Sequence, residues 1–88
     1  MRVYLLVYSD KIGNRESVKN VVSSIPEIAH WRYDMPNSFY LHSQKSAQEL
    51  TDLFVEKLNK PDKRFFISEI TSNRQGYLPM ETWDFINI

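Results

Sequence analysis

The sequence predicts a single domain of the α+β class, and three observations support this. A short apolar run, Val3 to Tyr8, is rich in strand-forming residues and contains no breaker. Two later segments repeat apolar residues at the spacing of amphipathic helices. The segments on either side of "MPN" alternate between apolar and polar residues, as the arms of a β-hairpin do. A chain of 88 residues can bury one modest core, so we expect residues 1–88 to form one domain.

Composition and charge narrow the possible functions. The chain has no cysteine, so disulfides and thiolate metal sites are excluded. Its formal net charge is zero, so any binding of nucleic acid must depend on a local basic patch. The apolar run is too short for a membrane span or a signal-peptide core. We therefore expect a soluble, cytoplasmic protein that does not associate with membranes and needs no cofactor for a binding role.

The first strand and the first helix follow each other closely. Val3 to Tyr8 is apolar at every position, which favours a central strand that is buried on both faces. Gly13 and Asn14 break the strand and can begin a helix. The helix should end before Pro26, because proline cannot continue the hydrogen-bond ladder. Its apolar stripe consists of Val18, Val21, Val22 and Ile25.

A hairpin is expected from Ile28–Asp34 and Ser38–Ser43, with its turn centred on Pro36. Such a turn also fixes the register, because a slip of one residue would move every apolar side chain to the polar face. It places two pairs of residues opposite each other: Trp31 with Leu41, and His30 with His42.

The second helix begins with a capping box at Ser46 and Glu49 and should end near Asn59 and Pro61. "RFFISEI", residues 64–70, reads as the fourth strand. The tail, residues 72–88, contains two alternatives. Its final residues favour a short helix on which Met80, Trp83 and Ile86 share a face, although "WDFINI" could instead form a fifth strand.

This order of elements, βαββαβ, is the ferredoxin-like pattern. Right-handed crossovers would place both helices on one face of a four-stranded antiparallel sheet, with the first and third strands in the centre. The opposite face would be left to solvent, to the tail or to a partner. We expect the aliphatic set on the first strand, Val3, Leu5 and Val7, to lie under the helices. The open face would then carry Tyr4, Leu6, Tyr8, Arg32, Tyr40 and His42.

Three interpretations of this open face remain. It could be a subunit interface or be covered by the tail, since tyrosine and arginine are favoured at interfaces. It could be a platform on which bases stack, although the third strand, "NSFYLHS", lacks the glycines and the basic residue of an RNA-recognition motif. A metal site between His30 and His42 is the third possibility.

The segments "VYLLVYSD", "SAQELTDLFVEKL" and "DKRFFISEI" resemble the small ferredoxin-like proteins related to Cas2, including SinR-like and VapD-like proteins. The likeness covers residues 1–71. It implies a homodimer in a nucleic-acid-handling or toxin–antitoxin-like system. In nuclease members, the first strand ends in tyrosine followed by an aspartate, which binds a divalent cation across the dimer.

Asp10 departs from that pattern. Here Tyr8 is followed by Ser9, and Asp10 comes one residue later. In an extended strand, Asp10 would therefore lie on the face opposite to that of the residue that directly follows the tyrosine. Serine is a poor substitute for an anionic ligand of a cation. We therefore interpret Asp10 as an Asx-type turn residue that ends the strand. The alternative is a rearranged catalytic site in which Asp10 binds Mg²⁺ or Mn²⁺.

Basic residues could provide local contacts to phosphates of RNA or DNA. Two of them, Lys11 and Arg15, flank the start of the first helix, where backbone N–H groups are free. The full set of candidates is Lys11, Arg15, Lys57, Lys60, Lys63, Arg64 and Arg74.

Three functions are therefore open. The chain is a non-catalytic, homodimeric interaction module, or a metal-dependent nuclease, or a regulatory domain for a small ligand. The serine after Tyr8 and the neutral net charge favour the first of these.

Overall fold

The computed structural model describes the whole chain, Met1–Ile88, and is built around one four-stranded antiparallel sheet. The strands lie in the order β2-β3-β1-β4, so that β1 and β3 are central. This α+β arrangement, as predicted, is compatible with a ferredoxin-like fold. The elements in chain order are β1 (Arg2–Tyr8), a 3₁₀ turn (Asp10–Ile12), α1 (Arg15–Ser23), β2 (Ile28–Arg32), β3 (Ser38–Ser43), α2 (Ala47–Lys57), β4 (Phe65–Glu69) and α3 (Met80–Ile86). None of the helices is long and apolar enough to cross a membrane.

The predicted hairpin and its register are confirmed. Trp31 lies opposite Leu41 and His30 opposite His42. The turn is closed by Asn37, which adopts a left-handed backbone conformation (φ 60°) that asparagine tolerates well.

The predicted capping box of α2 is also present. The Ser46 hydroxyl accepts a hydrogen bond from the Glu49 backbone N–H (3.1 Å), and the Ser46 N–H donates to the Glu49 carboxylate (2.9 Å). These hydrogen bonds lower the pKa of Glu49, because they favour its charged form.

The prediction of which face of β1 lies under the helices is wrong. Tyr4, Leu6 and Tyr8 lie in the main core with Phe39 and Leu41 of β3, between the sheet and the helices α1 and α2. The antiparallel register explains this, since it places Leu6 opposite Phe39 and Tyr4 opposite Leu41. Residues that lie opposite each other share a face of the sheet. The three residues therefore cannot form part of an open face.

Tyrosine suits this core because its ring is apolar while its hydroxyl can reach the edge of the layer. The Tyr4 hydroxyl donates to the backbone carbonyl of Lys45 at 2.5 Å. Burial of the Tyr8 ring raises the pKa of its phenol.

The tail covers much of the opposite face. It forms the expected helix, α3, and Ile86 packs there with Val3 and Tyr40. Arg32 donates from Nε to the Thr82 hydroxyl at 3.0 Å, which fixes the middle of α3 to the edge strand β2. Of the three residues predicted to share a face, Trp83 and Ile86 are partly or fully buried together with Thr82 and Phe85, whereas Met80 is exposed.

The orientation of β1 predicts a large difference between two neighbouring truncations. Leu6→Ala should lower the free energy of unfolding by about 2–5 kcal/mol, because it leaves a cavity in the main core. Val7→Ala, on the other face and 42% exposed, should cost about 1 kcal/mol or less. Urea unfolding of both variants measures this difference. A larger loss for Val7→Ala than for Leu6→Ala would contradict the orientation described here.

Candidate functional site

Asp10 is used to join two parts of the chain. Its carboxylate Oδ1 accepts a hydrogen bond from Asn37 Nδ2 at 2.8 Å. The same amide nitrogen donates to the Tyr8 carbonyl at 2.9 Å, and the Tyr8 N–H donates to the Asn37 carbonyl at 3.1 Å. Asp10 and Asn37 therefore fasten the hairpin turn to the end of β1.

The turn that was predicted at Asp10 is formed instead by the side chain of Ser9, one residue earlier. β1 ends at Tyr8, and the Ser9 hydroxyl accepts from the Lys11 N–H at 3.1 Å, which caps the 3₁₀ turn. Asp10 itself is exposed. Nowhere in the chain do three or more histidine, aspartate or glutamate side chains gather closely enough to hold a metal ion. Asp10 is thus a single carboxylate already engaged by an amide.

Arg15 takes part in a surface stack that no pattern in the sequence indicates. Its guanidinium carbon lies 4.2 Å from the centre of the Tyr33 ring, a cation–π contact between α1 and the end of β2. Tyr33 in turn stacks on Trp31, with their planes only 9° apart. Alternation places Trp31 and Tyr33 on one face of the strand, but only the structure shows that Arg15 reaches them.

Six of the seven basic candidates lie at one end of the sheet, where β1 and α2 end and where α1 and β4 begin. The Ser9 N–H donates to the Arg64 carbonyl at 3.1 Å, which brings the 3₁₀ turn and its Lys11 beside the α2–β4 loop. Lys63 Nζ donates to the Lys60 carbonyl at 2.7 Å. The six residues are Lys11, Arg15, Lys57, Lys60, Lys63 and Arg64.

The charge at this end of the sheet is mixed. Arg64 forms an ion pair with Asp62 at 2.8 Å, and hydrogen bonds from Arg64 lower the pKa of Asp62 to about 2. Asp10 and Glu56 lie at the same end. The seventh candidate, Arg74, is separate from this group and belongs to the loop before α3.

The strand β4 forms an open edge of the sheet. It pairs with β1 on one side and has no strand on the other. Phe66 is 68% exposed, and its neighbour across the pair, Val7, is 42% exposed. We call β4 together with Val7 the β4 edge. An unprotected edge strand can pair with another chain, and exposed aromatic rings there favour contact.

His42 holds α3 to the sheet. Its Nε2 lies 2.6 Å from the Phe85 carbonyl, so this nitrogen must carry the proton that it donates. The His42 ring also stacks on the Phe85 ring, with centroids 3.6 Å apart. His30 meets His42 edge-on at 5.5 Å. His42 is buried and committed to α3, which argues against the proposed metal site between the two histidines.

An apolar cleft of about 390 Å³ lies between α3, the loop that precedes it and the sheet. Tyr40 and Ile70 lie on the sheet side, whereas Trp83 and Ile86 belong to the helix. Arg74 and Leu78 of the loop, with Met35 of the hairpin turn, are among the other lining residues. No local pattern in the sequence indicates this cleft, because it exists only once α3 has folded back onto the sheet.

No family model, curated protein or solved structure matches this chain. Its function is therefore inferred from its own side chains and from the open edge of its sheet.

The burial of His42 predicts that the free energy of unfolding decreases in acid. Burial lowers the pKa of His42 below its ordinary value of 6.5, although the hydrogen bond to Phe85 acts in the opposite direction. The His42 imidazole therefore takes up a proton at a higher pH in the unfolded chain than in the folded chain. The stability that His42 contributes is complete above about pH 6.5 and should fall as the pH drops from there through the folded-state pKa.

Urea unfolding between about pH 7.5 and pH 5 measures this dependence. His42→Gln is the control, because an amide can donate to the Phe85 carbonyl but does not titrate. We expect a smaller decrease in stability with acid for the variant than for the wild type. Equal pH dependence in both proteins would show that His42 does not hold α3 in this way.

Proposed function

We propose that the chain is a small Cas2-like interaction module that acts as a non-catalytic homodimer in a nucleic-acid-handling or toxin–antitoxin-like system. The observation that carries this proposal is the β4 edge. The dimer expected from the sequence requires an exposed face that carries Tyr4, Leu6, Tyr8 and Tyr40, but all four are buried in the folded chain. The support for a dimer therefore comes from β4 instead.

The β4 edge lacks the features that usually prevent strands from pairing. It contains no proline, no strand pairs with its free side, and its only charged residue is Glu69 at one end. Phe66 exposes most of its ring beside Val7. A partner strand would satisfy the free backbone groups and bury this apolar pair.

A second copy of the chain suits this edge because the edge is complementary to itself. Two β4 strands related by a two-fold axis run antiparallel, the geometry of an isologous interface. A pairing centred on Ile67 sets Glu69 of one strand opposite Phe65 of the other, so the basic residues that precede β4, Lys63 and Arg64, come near the Glu69 of the second copy. The two sheets would then form one continuous sheet.

The surroundings of Asp10 support a role without catalysis. A catalytic Mg²⁺ or Mn²⁺ needs several oxygen ligands and is usually held by more than one carboxylate. Asp10 is a single carboxylate that accepts a hydrogen bond from Asn37, and Ser9 occupies the position at which the resembled nucleases have aspartate. The hydrogen bond to Asn37 gives this carboxylate a structural role, because it joins the end of β1 to the hairpin turn.

Nucleic acid is a candidate partner for the six basic residues at the end of the sheet. Their charge is local and interleaved with acidic side chains, so we expect weak binding that depends strongly on salt. The stack of Arg15 on Tyr33 lies beside them and offers an aromatic ring that is 39% exposed.

The dimer is tested by the mass of the protein in solution. The wild type should be dimeric at micromolar concentration, and Phe66→Asp should be monomeric, because two carboxylates would be brought into an apolar contact. Tyr77→Asp is the matched control, since Tyr77 is fully exposed but lies outside the β4 edge. Sedimentation equilibrium distinguishes the two states. A wild type that stays monomeric at high micromolar concentration would refute the dimer.

The absence of catalysis is tested with Asp10→Asn. The new amide oxygen can still accept from Asn37, so stability should change by less than about 1 kcal/mol. Purified wild type and variant should both fail to cleave labelled RNA and DNA, with or without EDTA. EDTA-sensitive cleavage by the wild type that disappears in Asp10→Asn would establish the alternative, a metal-dependent nuclease, because a neutral amide is a poor ligand for a hard cation.

A further inference from the structure

Phe66 exposes more of its surface than any other large apolar residue in a strand of the sheet. It lies opposite Val7, and side chains alternate along a strand, so Ser68 and Ile70 lie on the same face of the sheet as Phe66. Ile70 packs against the cluster that contains Ile86 of α3, whereas Phe66 is 68% exposed. This row of β4 side chains thus begins in solvent and ends beside α3.

The backbone of β4 determines how a second copy can pair with it. The Ser9 N–H donates to the Arg64 carbonyl at 3.1 Å. The Ile70 N–H donates to the Val3 carbonyl at 2.8 Å. Arg64 and Ile70 thus direct their backbone groups towards β1, and alternation directs those of three residues between them to the free side: Phe65, Ile67 and Glu69. An antiparallel pairing centred on Ile67 joins these free groups and pairs every residue of β4.

Opposite charges meet in this register on the face of the sheet that bears the main core. Glu69 lies opposite Phe65 of the second copy, so Lys63 of that copy is its diagonal neighbour. Neither Glu69 nor Lys63 forms an ion pair within its own chain. The two-fold axis makes this contact occur twice. Charge complementarity therefore supports a second copy of the chain as the partner of this edge.

Apolar side chains meet in the same register on the face that bears α3. Phe66 lies opposite Ser68 of the second copy, whose small side chain leaves room for the ring, and Ile70 of that copy is a diagonal neighbour. Diagonal neighbours in an antiparallel pair are about 7–8 Å apart, within reach of an aromatic side chain. Ile70 lines the apolar cleft together with Trp83 and Ile86. The ring of Phe66 is thus brought to the cleft of the second copy.

We propose that Phe66 of each copy packs against Ile70 of the other copy, at the mouth of the apolar cleft, so that each cleft is completed by its partner. This inference rests on the dimer proposed above and names the contact that holds it together. The contact would bury the most exposed apolar side chain of the strands. It would also cover an apolar opening that α3 leaves in its own chain.

An isotope-filtered nuclear Overhauser experiment tests the contact directly. The sample is an equal mixture of labelled and unlabelled full-length chain, at a concentration at which sedimentation equilibrium shows a dimer. Within one chain, Phe66 and Ile70 are four residues apart on a strand, about 13 Å, which is too far for such a contact. We expect an intermolecular contact between the Phe66 ring and the Ile70 methyl groups. A dimer without it would overturn this inference and leave the proposed dimer intact, whereas a monomer would overturn both.

A mixture of two variants tests the same contact by mass. Phe66→Ala and Ile70→Ala each remove the contact twice from their own homodimers and should raise the dissociation constant about tenfold. A heterodimer of the two variants keeps one of its two contacts intact. An equal mixture, concentrated enough to keep all chains dimeric, should therefore contain more heterodimer than the statistical half of all dimers in native mass spectrometry. A statistical proportion would overturn the proposal.

The matched control is a mixture of Phe66→Ala with Val55→Ala. Val55 is a partly exposed aliphatic residue of α2, which packs on the other face of the sheet. Its truncation does not touch the contact, so the effects of the two substitutions should add and the heterodimer should form in the statistical proportion. An excess of heterodimer in this control as well would show that the excess does not come from Phe66 and Ile70, and would count against the proposal.

Discussion

The structure depends on one constraint: β1 is a central strand with apolar side chains on both faces. A strand of this kind cannot leave either face in water without exposing large apolar side chains. Leu6 faces the helices α1 and α2, and Val3 faces α3. The sheet therefore needs two covering layers, and the helix in the second one, α3, has seven residues.

The short second layer determines where the chain can bind other molecules. α3 is held by its contacts with His42 and Arg32 and by the burial of Ile86, and it covers the part of the sheet around Val3 and Tyr40. Beyond it, Val7 and Phe66 stay exposed at the β4 edge. Between the helix, its loop and the sheet, the cover is incomplete and leaves the apolar cleft. The β4 edge and the cleft thus both lie where α3 is too short to cover the sheet.

Local patterns in the sequence predicted the elements but not the orientation of β1. The capping box at Ser46 and the hairpin register depend on short-range geometry, so residues close together in the sequence are enough to predict them. Both faces of β1 are apolar, and the alternation that reveals orientation in other strands is therefore missing. Aliphatic residues were assigned to the core, but tyrosine fills a core equally well if its hydroxyl finds a partner, as that of Tyr4 does. The stack on Tyr33 and the cleft depend on contacts between distant segments, for which a single sequence holds no local signal.

The central claim is that α3 forms the second layer of the domain, packed on the sheet. The most direct measurement is a set of nuclear Overhauser contacts in a uniformly labelled sample of the full-length chain. We predict contacts between the rings of Phe85 and His42, which lie 3.6 Å apart between centroids, and between Ile86 and both Val3 and Tyr40. If these contacts were absent while those of the main core, such as Leu6 with Phe39, were present, α3 would not lie on the sheet and the account would be wrong.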